Sequence, residues 1–172
     1  MNSKDKIGVL GGSFDPAHKG HLKISKEALK KFKLKKVIWA ITKKNPHKEK
    51  SKTSIPRRIQ NCKKIIKSNS LIKVKFYEKI INSNKTIDLI NHLLKDSKNE
   101  IFFLMGADNL INFHKWHNWK LFSQRCKIIV FDRQGYKKKS MNSISFKRLN
   151  GKNLIFVKFK KVNISSSQLR RI

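Results

Sequence analysis

The chain has 172 residues, with 42 Lys plus Arg against 10 Asp plus Glu, a formal charge of +32. That length suits one domain spanning residues 1–172, with a core that needs neither disulfides nor a structural metal. So large a positive field favours polyanions in general, but the cations are mostly Lys spread along the whole chain, which reads as a solvated surface and names no partner. The longest apolar stretches, such as residues 101–105 (IFFLM), are far shorter than a membrane span. The opening MNSKDKIGVLGG has no apolar signal-peptide region. Cys62 and Cys126 show neither metal-ligand spacing nor a disulfide framework. The expectation is a soluble protein of the reducing cytoplasm, with no membrane partner and both thiols packed as small apolar groups.

In chain order, residues 6–10 (KIGVL) read as a strand buried on both faces and ending at Gly11-Gly12. Over residues 20–32, Leu22, Ser25, Ala28, Leu29 and Phe32 fall on one helical face. Residues 36–42 (KVIWAIT) are a second strand, and the polar stretch 43–56 is a long loop of the kind that carries function. A helix is predicted over 57–67, with Ile59, Cys62, Ile65 and Ile66 inward and Pro56 near its start. Residues 72–78 alternate as a strand. Residues 86–95 are helical, with Thr86 as N-cap and Ile87, Ile90, Leu93 and Leu94 inward. Buried strands follow at 100–105, 127–132 and 153–159, whereas 137–150 reads as a polar, weakly patterned connector. Buried strands alternating with helices predict an α/β fold with a doubly wound, mainly parallel sheet, which binds ligands beyond the carboxyl ends of its strands.

Three segments at such ends carry the chemistry. The first, GGSFDPAHKGH, joins the first strand to the first helix. Gly11 and Gly12 let the backbone turn tightly and come close to a ligand. His18 and His21, three apart, share a face at a helix N-terminus, where free N–H groups and the positive dipole end already favour an anion. The imidazoles add donors whose charge is tunable near neutral pH. Neither G-x-G-x-x-G nor G-x-x-x-x-G-K-S/T is present. A zinc reading of the two histidines lacks a third ligand, and a plain strand-to-helix turn with surface histidines is the alternative. The second segment is the closing NISSSQLRRI, where serine hydroxyls and a bidentate arginine suit phosphate, although a serine-rich cap beside an exposed arginine is a commonplace pattern. The third, GADNLINFHKWHNW, spaces Phe113, Trp116 and Trp119 by three. On pattern alone that is an aromatic core face on a helix, with His114 and His117 as solvated neighbours.

Taken together, these residues resemble a family. GGSFDPAHKGH resembles the signature of the (T/H)-x-G-H nucleotidyltransferase superfamily, and ISSSQLR resembles the element that closes its site. The 106–119 segment resembles the G-x-D…F-x-x-W-x-x-W stretch of bacterial nicotinate-nucleotide adenylyltransferases. The resemblance runs from Lys6 to Arg170. Members of that family usually continue as helix beyond the closing element, whereas this sequence ends at Ile172.

It implies a Rossmann-like nucleotidyltransferase fold, with ATP and nicotinate mononucleotide as partners and Mg²⁺ carried by the ATP phosphates rather than by protein ligands. It further implies that His18 and His21 contact ATP phosphates, joined by Ser166, Ser167 and Arg170. Gly11, Gly12, Ser13 and Phe14 would line the nucleotide pocket, with Gly106 beside it and Asp108 on a ribose. On the acceptor side it implies Asn45 and Lys48 in the substrate loop (NPHK) and Thr86 at a helix start that holds the nicotinate carboxylate. Trp116 would stack by the pyridine ring, and Arg133 and Tyr136 stand in RQGY, where the family has R-P-G-Y. His18, His21, Lys48 and Arg170 are the expected catalytic set. The alternatives are a sister transfer on the same fold, to phosphopantetheine or from CTP, and a basic nucleic-acid-binding protein; no specific nucleic acid is expected, because no recognised module is present.

Overall fold

The structure, a computed structural model, describes residues 3–44 and 51–159. Six strands form one sheet: β1 (Asp5–Gly12), β2 (Lys36–Ile41), β3 (Ile72–Lys75), β4 (Asn99–Gly106), β5 (Lys127–Phe131) and β6 (Leu154–Val157). Their order across the sheet is β3-β2-β1-β4-β5-β6, and every pairing is parallel. The chain steps outward from β1 to β3 and then returns past β1 to build the other half. A switch point therefore opens between β1 and β4, where doubly wound sheets hold ligands. The register sets the carboxyl ends side by side: Gly11 opposite Ala40, Gly12 opposite Ile41, and Gly106 opposite Phe131.

Alternation along the strands builds two cores, one on each face. Ile7, Val9, Ile38, Ala40, Phe103 and Met105 pack with Ile87 and Ile90 of α4 (Thr86–Leu93) and Phe122 of α6 (Trp119–Arg125). Leu10, Val37, Trp39, Phe102 and Leu104 pack with Ala28 of α1 (Lys19–Phe32) and with Cys62 and Ile66 of α2 (Ile55–Ile66). Strands covered on both faces read as continuous apolar runs, and those runs were the legible signal. Gly8 lies where the covering chain is close: a Cβ there would sit 2.8 Å from a Leu34 methyl and 2.9 Å from one of Val37. Both cysteines are buried and free, and burial pushes each thiol up to about 12. Among the described residues no helix is long and apolar enough to cross a membrane.

Four expectations need correction. The stretch 137–150 is not an unpatterned connector but two short helices, α7 (Lys137–Met141) and α8 (Ile144–Leu149). They bury Ser140, Ser143 and Ser145, whose hydroxyls are hydrogen-bonded instead of marking an apolar face: Ser140 and Ser143 bond locally, Ser143 capping α8 by accepting from the Phe146 N–H, and Ser145 accepts the distant His114 N–H. Lys85 takes the N-cap position of α4, so Thr86 is its first helical residue. The strand expected over 72–78 stops at Lys75, and α3 (Glu78–Ile81) follows. The aromatic segment after β4 is not one helix. It runs as α5 (Ala107–Leu110), a 3₁₀ turn (Phe113–Lys115), extended backbone at Trp116, and then α6.

Candidate active site

The turn between β1 and α1 is built from the inside out. Phe14 adopts φ 48°, a left-handed conformation that costs energy for a bulky residue. Its ring holds that conformation by burial, 1 % exposed, and by stacking on Trp39 with centroids 5.0 Å apart and planes at 13°. His21 packs on the same platform, 4.7 Å from Phe14 and edge-on to Trp39 at 5.8 Å. Under it, the Trp39 indole N–H donates to Ser25 Oγ at 2.8 Å, and that hydroxyl donates to the His21 carbonyl at 2.9 Å.

His18 is the N-cap of α1. Its Nδ1 accepts the Gly20 N–H at 3.1 Å, while the Nδ1 of His21 accepts the His18 N–H at 3.2 Å. This is a capping box in which two imidazoles replace the usual hydroxyl and carboxylate. The rings stack with centroids 3.8 Å apart, both half-buried at the mouth of the switch point. No acid sits in the first turn of α1, which leaves its positive end to an incoming anion.

Across the switch point, Gly106 ends β4 and turns the chain so that Asp108 folds back over it; a Cβ at Gly106 would lie 2.5 Å from Asp108 Oδ1. Asp108 pairs with Arg133 at 2.5 Å, and the Arg133 guanidinium lies 5.6 Å from the Tyr136 ring centroid. The ion pair thus joins the ends of β4 and β5. Trp116 is half-buried on an aromatic cluster, edge-on to Phe113 at 5.2 Å, Phe103 at 5.9 Å and Phe122 at 6.2 Å. Phe103 in turn reaches towards β1: its ring tip is 3.4 Å from where a Cβ on Gly11 would stand. One apolar ledge therefore links the glycines of the first turn to Trp116. Thr86, with Gly11, Thr42, Tyr77, Glu78 and Lys85, lines a small cleft beside that ledge.

The structure thus gathers Gly11, Gly12, His18, His21, Gly106, Asp108, Trp116 and Arg133 at one end of the sheet, with Thr86 on the flank. The Phe14 ring lies against His21 and supports the imidazole. Ser13 presents its carbonyl to Arg58. Asn45, Lys48, Ser166, Ser167 and Arg170 lie outside the described residues. His117 is exposed, its Nε2 3.2 Å from the Asn118 amide nitrogen, and His114 is half-buried with its N–H bonded to Ser145 Oγ. Among the described residues no cluster of three His, Cys, Asp or Glu could hold a metal ion.

Two residues escaped the sequence reading. Arg58, only 2 % exposed, is absent from the inward face expected for that helix. Asp15, 5 % exposed, was passed over inside the signature. Burial raises the Asp15 carboxyl, but the Thr53 hydroxyl, the Thr53 and Lys52 N–H groups and the Arg58 charge outweigh it and leave it below the ordinary value. Burial pushes the Arg58 guanidinium down, opposed by the charges of Asp15 and Glu78. Glu78 ends above its ordinary value because burial outweighs the Lys43 N–H bond and the nearby cations. The faint signal for Arg58 was its place on the stripe of Cys62 and Ile66, four and eight residues on.

Comparison with known proteins bears directly on this geometry. A family described as cytidylyltransferase-like matches residues 9–172, which sets the chain in the nucleotidyltransferase class that the fold and the histidine-capped helix suggest. The chain is 63 % identical over 169 residues to a protein of Pelagibacter ubique described as a probable nicotinate-nucleotide adenylyltransferase, covering 98 % of this chain and 94 % of that one. A Ruegeria protein with the same description is 38 % identical over 75 % of this chain and 68 % of its own length. In three dimensions the fold matches a Plasmodium falciparum nicotinic acid mononucleotide adenylyltransferase, solved in complex with NaAD, with a TM-score of 0.78 at 20 % identity, over 97 % of this chain and 83 % of that one. The chain belongs to the nicotinate-nucleotide adenylyltransferase family.

Proposed function

We propose that this protein transfers the AMP moiety of ATP to nicotinate mononucleotide in the cytoplasm, releasing pyrophosphate and forming nicotinate adenine dinucleotide, a step in NAD biosynthesis. The observation that carries the reading is the facing pair at the switch point: a helix N-terminus capped by two imidazoles on the β1 side, and an aromatic ledge with a carboxylate–arginine pair on the β4–β5 side. The first suits a polyphosphate, the second a flat ring and a ribose. The names of the relatives point to the same pair of substrates.

The acceptor's own phosphate is the nucleophile, so no side chain attacks and no covalent intermediate forms. An acceptor oxygen displaces pyrophosphate in line at the α-phosphorus, and catalysis consists of holding two anions together and stabilising charge on the leaving group. His18 and His21 donate to phosphate oxygens from their fixed positions. Lys48, Ser166, Ser167 and Arg170 take the remaining phosphate contacts that the family resemblance implies. Thr86 and the first amides of α4 receive the nicotinate carboxylate, and Trp116 packs beside the ring. ATP would bring Mg²⁺, which supplies charge neutralisation along the phosphates; imidazole, amide and guanidinium donors suit phosphate oxygens better than a hard dication, so ATP and water would supply its ligands.

The test is pyrophosphate release with ATP and Mg²⁺ against three acceptors. Turnover with nicotinate mononucleotide well above that with nicotinamide mononucleotide or phosphopantetheine is expected. Turnover with phosphopantetheine alone would overturn the assignment of the aromatic ledge, and silence with all three would overturn the reaction.

A further inference from the structure

The connector between β2 and α2 is tied to the β1–α1 turn at both of its ends. Where it departs, the Arg58 guanidinium donates from Nη1 to the Thr42 carbonyl at 2.8 Å and points Nη2 at the Lys43 carbonyl at 3.5 Å. The same Nη1 donates to the Ser13 carbonyl at 2.8 Å, inside the turn. Where the connector returns, the Lys52 and Thr53 N–H groups donate to Asp15 Oδ2 at 2.8 and 3.2 Å. Asp15 belongs to the turn, three residues before the His18 cap. Glu78 adds a third hold by accepting the Lys43 N–H at 3.1 Å.

A purely structural stripe on α2 would take a leucine at 58 beside Cys62 and Ile66. Burying a guanidinium there is costly unless its donors are matched, and replacing such buried charge by apolar groups is often neutral for stability. What a leucine cannot do is join three carbonyls from two separate segments.

We propose that Asp15 and Arg58 are positioning residues that fasten the acceptor-side connector to the nucleotide-binding turn, so that ATP and the pyridine mononucleotide bind cooperatively through this clamp. The inference rests on the adenylyl-transfer reading above. Neither residue touches the reacting atoms; each acts through the backbone of Ser13, Thr42, Lys43, Lys52 and Thr53. A nucleotide that orders the turn orders both connector ends with it, and the second ligand then binds a surface already in place. By linkage the effect is reciprocal.

The experiment is calorimetric titration of the full chain with nicotinate mononucleotide, with and without a saturating non-hydrolysable ATP analogue. In the unaltered protein the analogue is expected to tighten mononucleotide binding about tenfold, within the range usual for coupled sites. In Asp15→Asn and Arg58→Lys that ratio should fall towards one, with KM for the mononucleotide rising more than kcat falls. Thr53→Val removes only a hydroxyl from the Asp15 carboxylate at a half-buried position; it should lower the ratio less, and it reads the coupling even where the buried variants fail to fold. Folded variants that keep the full ratio, or an unaltered protein with a ratio of one, would overturn the clamp. Turnover intact alongside an unchanged ratio defeats this inference alone, whereas absence of turnover with every acceptor defeats the functional reading itself.

Discussion

The two sides of the switch point are held in place by different physics. On the β1 side, position is set by polar bonds to backbone: the histidines cap the helix and each other, Ser25 and Trp39 hold the His21 carbonyl, and Arg58 and Asp15 fix the chain around the turn. On the β4–β5 side, position comes from packing, because Phe113, Phe122 and Phe103 form the bed on which Trp116 rests, with one ion pair at its margin. A phosphate needs donors aimed within tenths of an ångström, which hydrogen bonds supply, while a ring needs only a flat apolar shelf of the right height. Removing a group on the first side should therefore cost rate, and removing one under the shelf should cost stability.

The largest expected effect lies under the shelf. Phe113 is 0 % exposed and touches Trp116, Trp119 and Phe122, so Phe113→Ala should destabilise the protein by about 3–5 kcal/mol in denaturant titration. A loss below about 1 kcal/mol would mean that packing does not hold that side. His21→Ala should act the opposite way. It should lower kcat by about 10²–10³-fold, as loss of a transition-state donor does, yet cost only about 1 kcal/mol of stability through the weakened cap. Equal turnover in that variant would remove His21 from the reaction. Trp116→Ala sharpens the contrast at the shelf surface: KM for nicotinate mononucleotide should rise about tenfold with KM for ATP nearly constant, in keeping with one lost aromatic contact. A change confined to ATP would place the ring elsewhere.

The smallest effect concerns Cys62 and Cys126, one in the core on each face of the sheet. Both thiols are raised from 9.0 to about 12 in the folded chain. The folded state therefore holds these protons more tightly than the unfolded state. Their contribution to stability is complete below pH 9 and is lost as pH rises from 9 through 12. Neither should react with a thiol reagent at pH 8 unless the protein is first unfolded. Labelling of the native protein at that pH would contradict their burial.

Legibility in the sequence followed the same division. The buried strands, the first helix and the turn between them could be read because each is local: an apolar run, two glycines, then a periodic stripe starting at the histidines. The mutual capping of those histidines could not, since it depends on ring orientation. Arg58 was illegible because its charge argues against burial even where helical period places it on the inward stripe, and its partners, Ser13 and Thr42, lie 45 and 16 residues away. Residues 137–150 were misread because α7 and α8 bury serines, and a serine bonded to its own helix leaves no apolar trace. The break of the aromatic segment at Trp116 was hidden because three-residue spacing fits a helix as well as it fits a turn resting on a cluster.

The reciprocal histidine cap has a consequence for protons. Each Nδ1 receives a backbone N–H, so each must keep a lone pair there, and the hydrogen of a neutral ring must reside on Nε2. Both rings are thereby held in one tautomer. The cap therefore decides which nitrogen of each neutral imidazole carries the hydrogen, and leaves Nε2 as the donor.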